Sequence, residues 1–193
     1  MCKFILIQGK ENAGKTTTCW KIYQDLVTML QENNNGHPVV HEFIVPGKVT
    51  LQTTSVLNAW ELTAIEENTG SFYQEEKQEN IDFIAILPTK KVKNCNSNKL
   101  GIISAGDEYP TMIAAIHTCL KKSVDTIIMS VHSNKNSDNH FHGERHILPL
   151  IEEKEEHNTK NVNFADYKDN DQETKENRVK EEVLKMIFGT RDK

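Results

Sequence analysis

The sequence predicts an α/β fold: a three-layer sandwich with a mostly parallel sheet, an antiparallel hairpin, and helices on both faces. Three observations carry that expectation. Short apolar runs alternate along the chain with stripes of apolar residues at helical spacing. The first run leads into a glycine-bracketed loop and then a helix, the start of a parallel strand–helix–strand unit. Two later runs lie too close together for a helix between them, so they pair as a hairpin.

The elements follow in order. Residues 3–8 are a short apolar run closed by Gly9, as in a buried parallel strand. Cys19, Ile22, Tyr23, Leu26, Val27 and Leu30 then form the stripe of an amphipathic helix over about 15–32. Asn33, Asn34, Asn35 and Gly36 end it. Residues 38–45 read as a second strand, closed by Pro46 and Gly47. Leu57, Trp60, Ala64 and Ile65 give a weak helical pattern, and 75–80 reads as loop. Residues 81–87 and 100–105 are the hairpin strands, joined through Pro88 and a polar stretch at 94–98. Pro110 opens a helix whose inward face is Met112, Ile113, Ile116, Cys119 and Leu120. Residues 125–131 form a further strand, and Val162–Tyr167 a short edge strand. Val179, Val183, Leu184, Ile187 and Phe188 give a closing helix.

At 193 residues the chain is long enough for one domain and marginal for two, so 1–193 reads as a single domain. Three polar segments, at about 66–80, 133–146 and 152–178, carry too little apolar area to order strongly and read as mobile loops. The net charge of -5 argues against a general nucleic-acid binder, which needs a basic face. No apolar run approaches the roughly 20 residues of a membrane span. The apolar start is too short for a signal peptide. The four cysteines form no C-x-x-C pair, which suggests reduced thiols and a cytoplasmic setting.

One motif carries chemistry. Gly9, Lys10, Glu11, Asn12, Ala13, Gly14, Lys15 and Thr16 match G-x-x-x-x-G-K-[ST] at every fixed position, and Thr17 continues into the helix. The glycines let successive backbone N–H groups converge, and the helix adds unpaired N–H groups and its positive dipole end. Lys15 supplies a point charge to the outer phosphates, and the Thr16 hydroxyl is placed to ligate magnesium. These residues resemble the P-loop NTPase superfamily, closely over residues 3–32 and elsewhere by architecture alone. The resemblance implies a P-loop NTPase-like sandwich that binds a nucleoside triphosphate; it names no reaction.

Magnesium also needs a carboxylate at the C-terminal end of a neighbouring strand. Asp82 and Asp125 sit at the starts of their strands, the wrong end. Asp107 follows an apolar run ending in small residues and is the Walker B candidate, with Glu108 beside it as a water-activating base. Its alternative role is to cap the helix that Pro110 opens. Lys10 falls where dimeric ATPases such as the nitrogenase iron protein carry an extra lysine, which in that family reaches a phosphate on the partner subunit. Glu11 and Asn12 depart from that family's glycines, so a solvent-facing lysine is the alternative.

Other features weigh less. The loop at Asn134-Lys135-Asn136-Ser137-Asp138 places its aspartate one residue late for a guanine-reading N-K-x-D, which favours adenine. His132, His140, His142 and His146 fit no zinc spacing and read as solvated. Arg145, in the same loop, is a candidate lid residue able to clamp a transferring phosphate. Lys90, Lys91 and Lys93 cluster on the hairpin turn, as charges do to keep an edge soluble. Trp20 and Trp60 read most simply as core residues; Trp20 falls off the stripe of the first helix, which also leaves it available to a nucleotide or partner.

Together these features give a leading expectation of an ATP- and magnesium-binding phosphotransferase of the nucleotide- or metabolite-kinase type. Lys15, Asp107 and Arg145 would act on the transferring phosphate, with Thr16 and Asp107 on the metal. The acceptor is unassigned. The alternatives are an ATPase switch that controls a partner protein, as a homodimer through Lys10, and a nucleotide sensor without turnover.

Overall fold

The computed structural model of the chain describes residues 2–37, 39–46, 65–69, 82–90, 92–104, 109–133, 158–169 and 171–189. They contain β1 (Lys3–Gly9), α1 (Lys15–Asn33), β2 (Glu42–Pro46), β3 (Ile65–Thr69), β4 (Ile84–Pro88), β5 (Lys99–Ile103), α2 (Tyr109–Lys121), β6 (Thr126–His132), β7 (Asn158–Asn163) and α3 (Gln172–Phe188). A single 3-10 turn, Phe164–Asp166, links β7 to the approach of α3.

The sheet runs in the order β3-β2-β4-β5-β6-β1-β7. Neighbours among β5, β6, β1 and β7 are parallel. β4 is antiparallel to both β5 and β2, and β3 is antiparallel to β2. Five strands therefore point one way, while β3 and β4 oppose them. The expected hairpin is β4–β5.

β1 shows why its run is apolar throughout. Ile5 and Ile7 face one layer, Phe4 and Leu6 the other, and all four are buried. The first layer takes α1 and α3, through Cys19, Ile22 and Leu26 and through Val179, Val183 and Ile187. The second takes α2, through Met112, Ala115, Ile116 and Cys119. A central strand covered on both faces has no solvent side on which to place polar residues.

Trp20 belongs to the core. It is 6% exposed and meets Phe83 edge-on at 5.6 Å, Phe43 edge-on at 6.1 Å, and Tyr23 at 5.3 Å. The Tyr23 hydroxyl is 2.8 Å from His41 Nε2, and His41 Nδ1 lies 3.0 Å from the Val39 carbonyl. That carbonyl can only accept, so Nδ1 carries the proton and Nε2 accepts from tyrosine. Truncating Trp20 to alanine would open a cavity costing about 3–5 kcal/mol.

Two stretches of the polar segment 152–178, expected as loop, are ordered elements. Asn158–Asn163 is strand β7, the edge of the sheet among the described residues, where Lys160 and Asn161 are exposed and Val162 is buried. It precedes the expected edge strand at Val162–Tyr167, because the chain turns at Phe164–Asp166 with the Asn163 side chain accepting from Ala165 N at 3.0 Å. α3 likewise begins at Gln172, inside the expected loop. Its buried positions are Glu176, Val179, Val183, Ile187 and Phe188, a helical stripe whose first member is charged. Lys21 neutralises Glu176 at 3.0 Å across the α1–α3 interface, and Lys180 pairs with Asp25 at 2.9 Å. Ile65–Thr69, at the head of the first polar segment, is strand β3, so Ile65 belongs to a strand and not to the expected helical pattern. The readings placed on 70–80, 134–146 and Trp60 lie outside the described residues. No helix among the described residues is long and apolar enough to cross a membrane.

Candidate functional site

The Gly9–Thr16 loop leaves the C-terminal end of β1 and enters α1. Its curl needs two left-handed residues, Asn12 at φ 56° and Gly14 at φ 80°. Asparagine tolerates that region better than most residues, and glycine adopts it freely. Gly14 is glycine for a second reason: a methyl group there would collide with Gln172 Nε2 and Glu176 Oε1 from α3. A methyl at Gly9 would sit 2.9 Å from Ala13 Cβ, so the loop folds back onto the strand it leaves. The turn is closed by Ala13 N donating to Lys10 O at 3.2 Å.

α1 has no side-chain cap; Gly14 stands at its N-cap position. The first N–H groups of a helix have no intrahelical acceptor, so the loop offers oriented donors and the positive end of a helix dipole. Lys15 is 7% exposed, and its Nζ donates to Lys10 O at 2.8 Å, which folds the ammonium back over the loop. The result is a cleft at an uncapped helix start with a lysine in its wall, a combination suited to an anion.

Glu11, Asn12, Ala13, Gly14, Lys15, Thr16 and Thr17 line a cleft of about 450 Å³. Of the residues expected to touch phosphate, these seven are brought together. Lys10 is exposed and outside the lining, and Gly9 lies beneath the loop. Four residues complete the wall that the sequence did not single out: Ser104, Ser130, Gln172 and Glu176. Ser104 follows β5 directly, and its Oγ accepts from Phe83 N at 2.7 Å; its carbonyl accepts from Ser130 Oγ at 2.6 Å. Gln172 Nε2 donates to Ala13 O at 2.8 Å, latching α3 onto the loop.

Asp107, Glu108 and Arg145 lie outside the described residues. The strand that leads to Asp107 is β5, and β6 stands between it and β1. Two strand spacings, roughly 10 Å, therefore separate the ends of β5 and β1. For the metal, Thr16 lines the cleft and fits the part of a hydroxyl ligand. Among the described residues no cluster of three or more His, Cys, Asp or Glu side chains forms a metal site.

The reading of Asp82 is corrected. Because β4 is antiparallel, its start lies beside the finish of β5, with Ser104 N donating to Phe83 O at 3.0 Å. Asp82 is thus at the loop end of the sheet. Its charge joins burial in pushing the Cys19 thiol up to about 12, burial being the larger cause, while Lys15 opposes. Cys19 is accordingly protonated at neutral pH and no thiolate nucleophile. Asp125 does lie at the far end, where Oδ2 accepts from Asn98 N at 2.9 Å and Oδ1 from Lys99 N at 3.2 Å. His132 is also corrected: it is 3% exposed, paired in register with Gly9 on β1, and not solvated. His140, His142 and His146 lie outside the described residues. Lys90 and Lys93 are exposed on the β4–β5 connection, and all four cysteines are free thiols.

No protein-family model, no curated protein and no solved structure matches this chain.

Proposed function

We propose that this chain is a P-loop protein that binds ATP with magnesium and transfers its terminal phosphate, a small phosphotransferase of the nucleotide- or metabolite-kinase type. One observation carries the reading. The motif Gly9–Thr16 is folded as an uncapped, donor-lined turn at the end of a buried strand, with Lys15 at the rim of a polar cleft. On this reading the loop amides and the first turn of α1 bind the phosphates, and Lys15 leaves Lys10 O to meet them. Thr16 and Asp107 would hold magnesium, which when bound supplies charge neutralisation on the phosphate oxygens. Arg145 would close from the loop after β6. Phosphoryl transfer asks a protein mainly for positioning and charge, and a preformed donor cradle costs no reorganisation at the moment of reaction.

A second reading, an ATPase switch acting as a homodimer, draws on Lys10. Its side chain is exposed and outside the cleft lining, a placement suited to reaching a second copy.

Calorimetric titration of the purified chain with ATP, with and without magnesium, tests the shared core. Lys15→Ala is expected to weaken binding about 100-fold while leaving the fold intact, because a charge-assisted contact of about 3 kcal/mol is lost. Affinity that survives Lys15→Ala overturns the assignment. Turnover that requires an added acceptor favours the phosphotransferase. Slow turnover without acceptor, with a change of mass on adding ATP, favours the switch.

A further inference from the structure

The two ends of the cleft are chemically unlike. On one side of β1, Ser104 and Ser130 close it from β5 and β6. On the other side of β1 lies β7, and α3, packed on β7 and α1, brings Gln172 and Glu176 to the wall. Glu176 is 6% exposed, so a buried carboxylate forms part of the wall of a cleft read as a polyphosphate site. A carboxylate repels phosphate, most strongly where water is excluded.

The surroundings of Glu176 hold it in place and leave it capacity. Oε2 accepts from Lys21 Nζ at 3.0 Å, and Oε1 accepts from Gln172 Nε2 at 3.1 Å. The same Gln172 nitrogen donates to Ala13 O, so the carboxylate is indexed to the loop itself. An ionised carboxylate has about four acceptor positions. Those two bonds take two, and the rest suit a ligand that donates. A fully ionised triphosphate tail has no donor to offer. Apart from water on the magnesium ion, which the proposed metal ligands Thr16 and Asp107 would keep toward the terminal phosphate, the ligand's donors are on its nucleoside: the ribose hydroxyls and the amino group of the base.

Direction follows from the sheet. On the reading that Asp107 holds the metal, the strand leading to it ends on the Ser104 side, which puts the terminal phosphate there and the nucleoside beside α3. This inference rests on reading Gly9–Thr16 as a triphosphate loop. We propose that Gln172 and Glu176 are specificity-determining residues at the nucleoside end, where Glu176 accepts hydrogen bonds from the vicinal hydroxyls of ribose. Two oxygens in a plane match two adjacent O–H donors, as one amino group does not. The ligand class is then a ribonucleoside triphosphate, discriminated from its 2′-deoxy counterpart.

The test is calorimetric titration of the full chain, in magnesium, with ATP, dATP, inosine triphosphate and inorganic tripolyphosphate. The native chain is expected to prefer ATP over dATP by about 10-fold or more, the scale set by one hydrogen bond to a charged acceptor, and to bind inosine triphosphate like ATP. Glu176→Gln should bring ATP and dATP within about 2-fold and leave tripolyphosphate equally or more tightly bound, since a negative charge is gone. Glu176→Asp keeps the charge for Lys21 but withdraws the carboxylate by one methylene, and should lose the same discrimination. Tripolyphosphate binding certifies the loop in each variant. Where a variant does not fold, the native preference still decides. A native chain that binds tripolyphosphate but takes ATP and dATP equally overturns this inference alone. So does one that separates inosine triphosphate from ATP but not dATP. A native chain that binds none of the four overturns the loop assignment as well.

Discussion

Helices α1 and α3 start side by side, joined by Gln172 and Ala13, yet their first turns are built oppositely. α3 is capped by its own sequence. The Asp171 carboxylate accepts from Thr174 N at 2.8 Å and from the Thr174 hydroxyl at 2.6 Å, so an internal anion sits at its positive end. α1 starts at Gly14 with no side-chain cap and no acidic residue in its first turn. The same helix physics is closed in one case and open in the other. The difference teaches that an uncapped start is informative when a capped one stands next to it: α1 carries no internal anion at its positive end, which is what the proposed phosphate site requires.

The sharpest way to break the contrast is to damage the open end. Gly14→Ala places a β-carbon at φ 80° and into Gln172 and Glu176. A left-handed alanine costs about 1–2 kcal/mol, and overpacking adds about 1–3. We expect urea denaturation to show about 2–5 kcal/mol of lost stability, with ATP binding lost. Wild-type stability in Gly14→Ala would mean that α3 does not press on the loop.

Lys21→Met tests the contact between the two starts. It strips Glu176 of its cation at a position where the Glu176 side chain is 8% exposed. Leaving a buried charge poorly paired is expected to cost about 1–3 kcal/mol by denaturation. The uncompensated carboxylate beside Gly14 should also weaken tripolyphosphate about 2–5-fold, an effect that shrinks at high salt. Unchanged tripolyphosphate affinity would separate α3 from the binding loop.

The open start was legible in the sequence and the closed one was not. Gly9–Thr16 announces itself because its glycines and lysine are fixed by local backbone chemistry, within eight residues. β1, α1 and the β4–β5 hairpin were legible because a buried strand or helix face demands an apolar period. α3 was partly hidden because its first inward residue is Glu176, whose burial depends on Lys21 in a helix some 150 residues earlier. Extending the stripe of Val179, Val183 and Ile187 back by three would have found it, as would the Asp171-x-x-Thr174 cap. Asp82 was misplaced for a different reason. Its place follows from the hairpin, since an antiparallel strand starts where its parallel neighbours finish, and no local pattern around residue 82 shows that. Ser104 and Ser130 had no local signal, since their place in the cleft is set by strand order.

The smallest expected effect is also the most specific to the comparison. Hydrogen bonds from Thr174 hold the Asp171 carboxyl below its ordinary value of 3.8. A lowered native value means that the cap adds stability above the unfolded value and loses it as pH falls through the native one. Between pH 5 and 8 the first turn of α3 should therefore keep constant amide-exchange protection, and it should fray only below about pH 4. α1 holds no titrating cap, so its first turn should respond instead to inorganic tripolyphosphate at fixed pH. Amide exchange read at Thr174 and at Thr16 to Thr18 separates the two. Protection at α1 that follows pH and ignores tripolyphosphate would make its start an ordinary helix end and would count against an anion site beside Lys15.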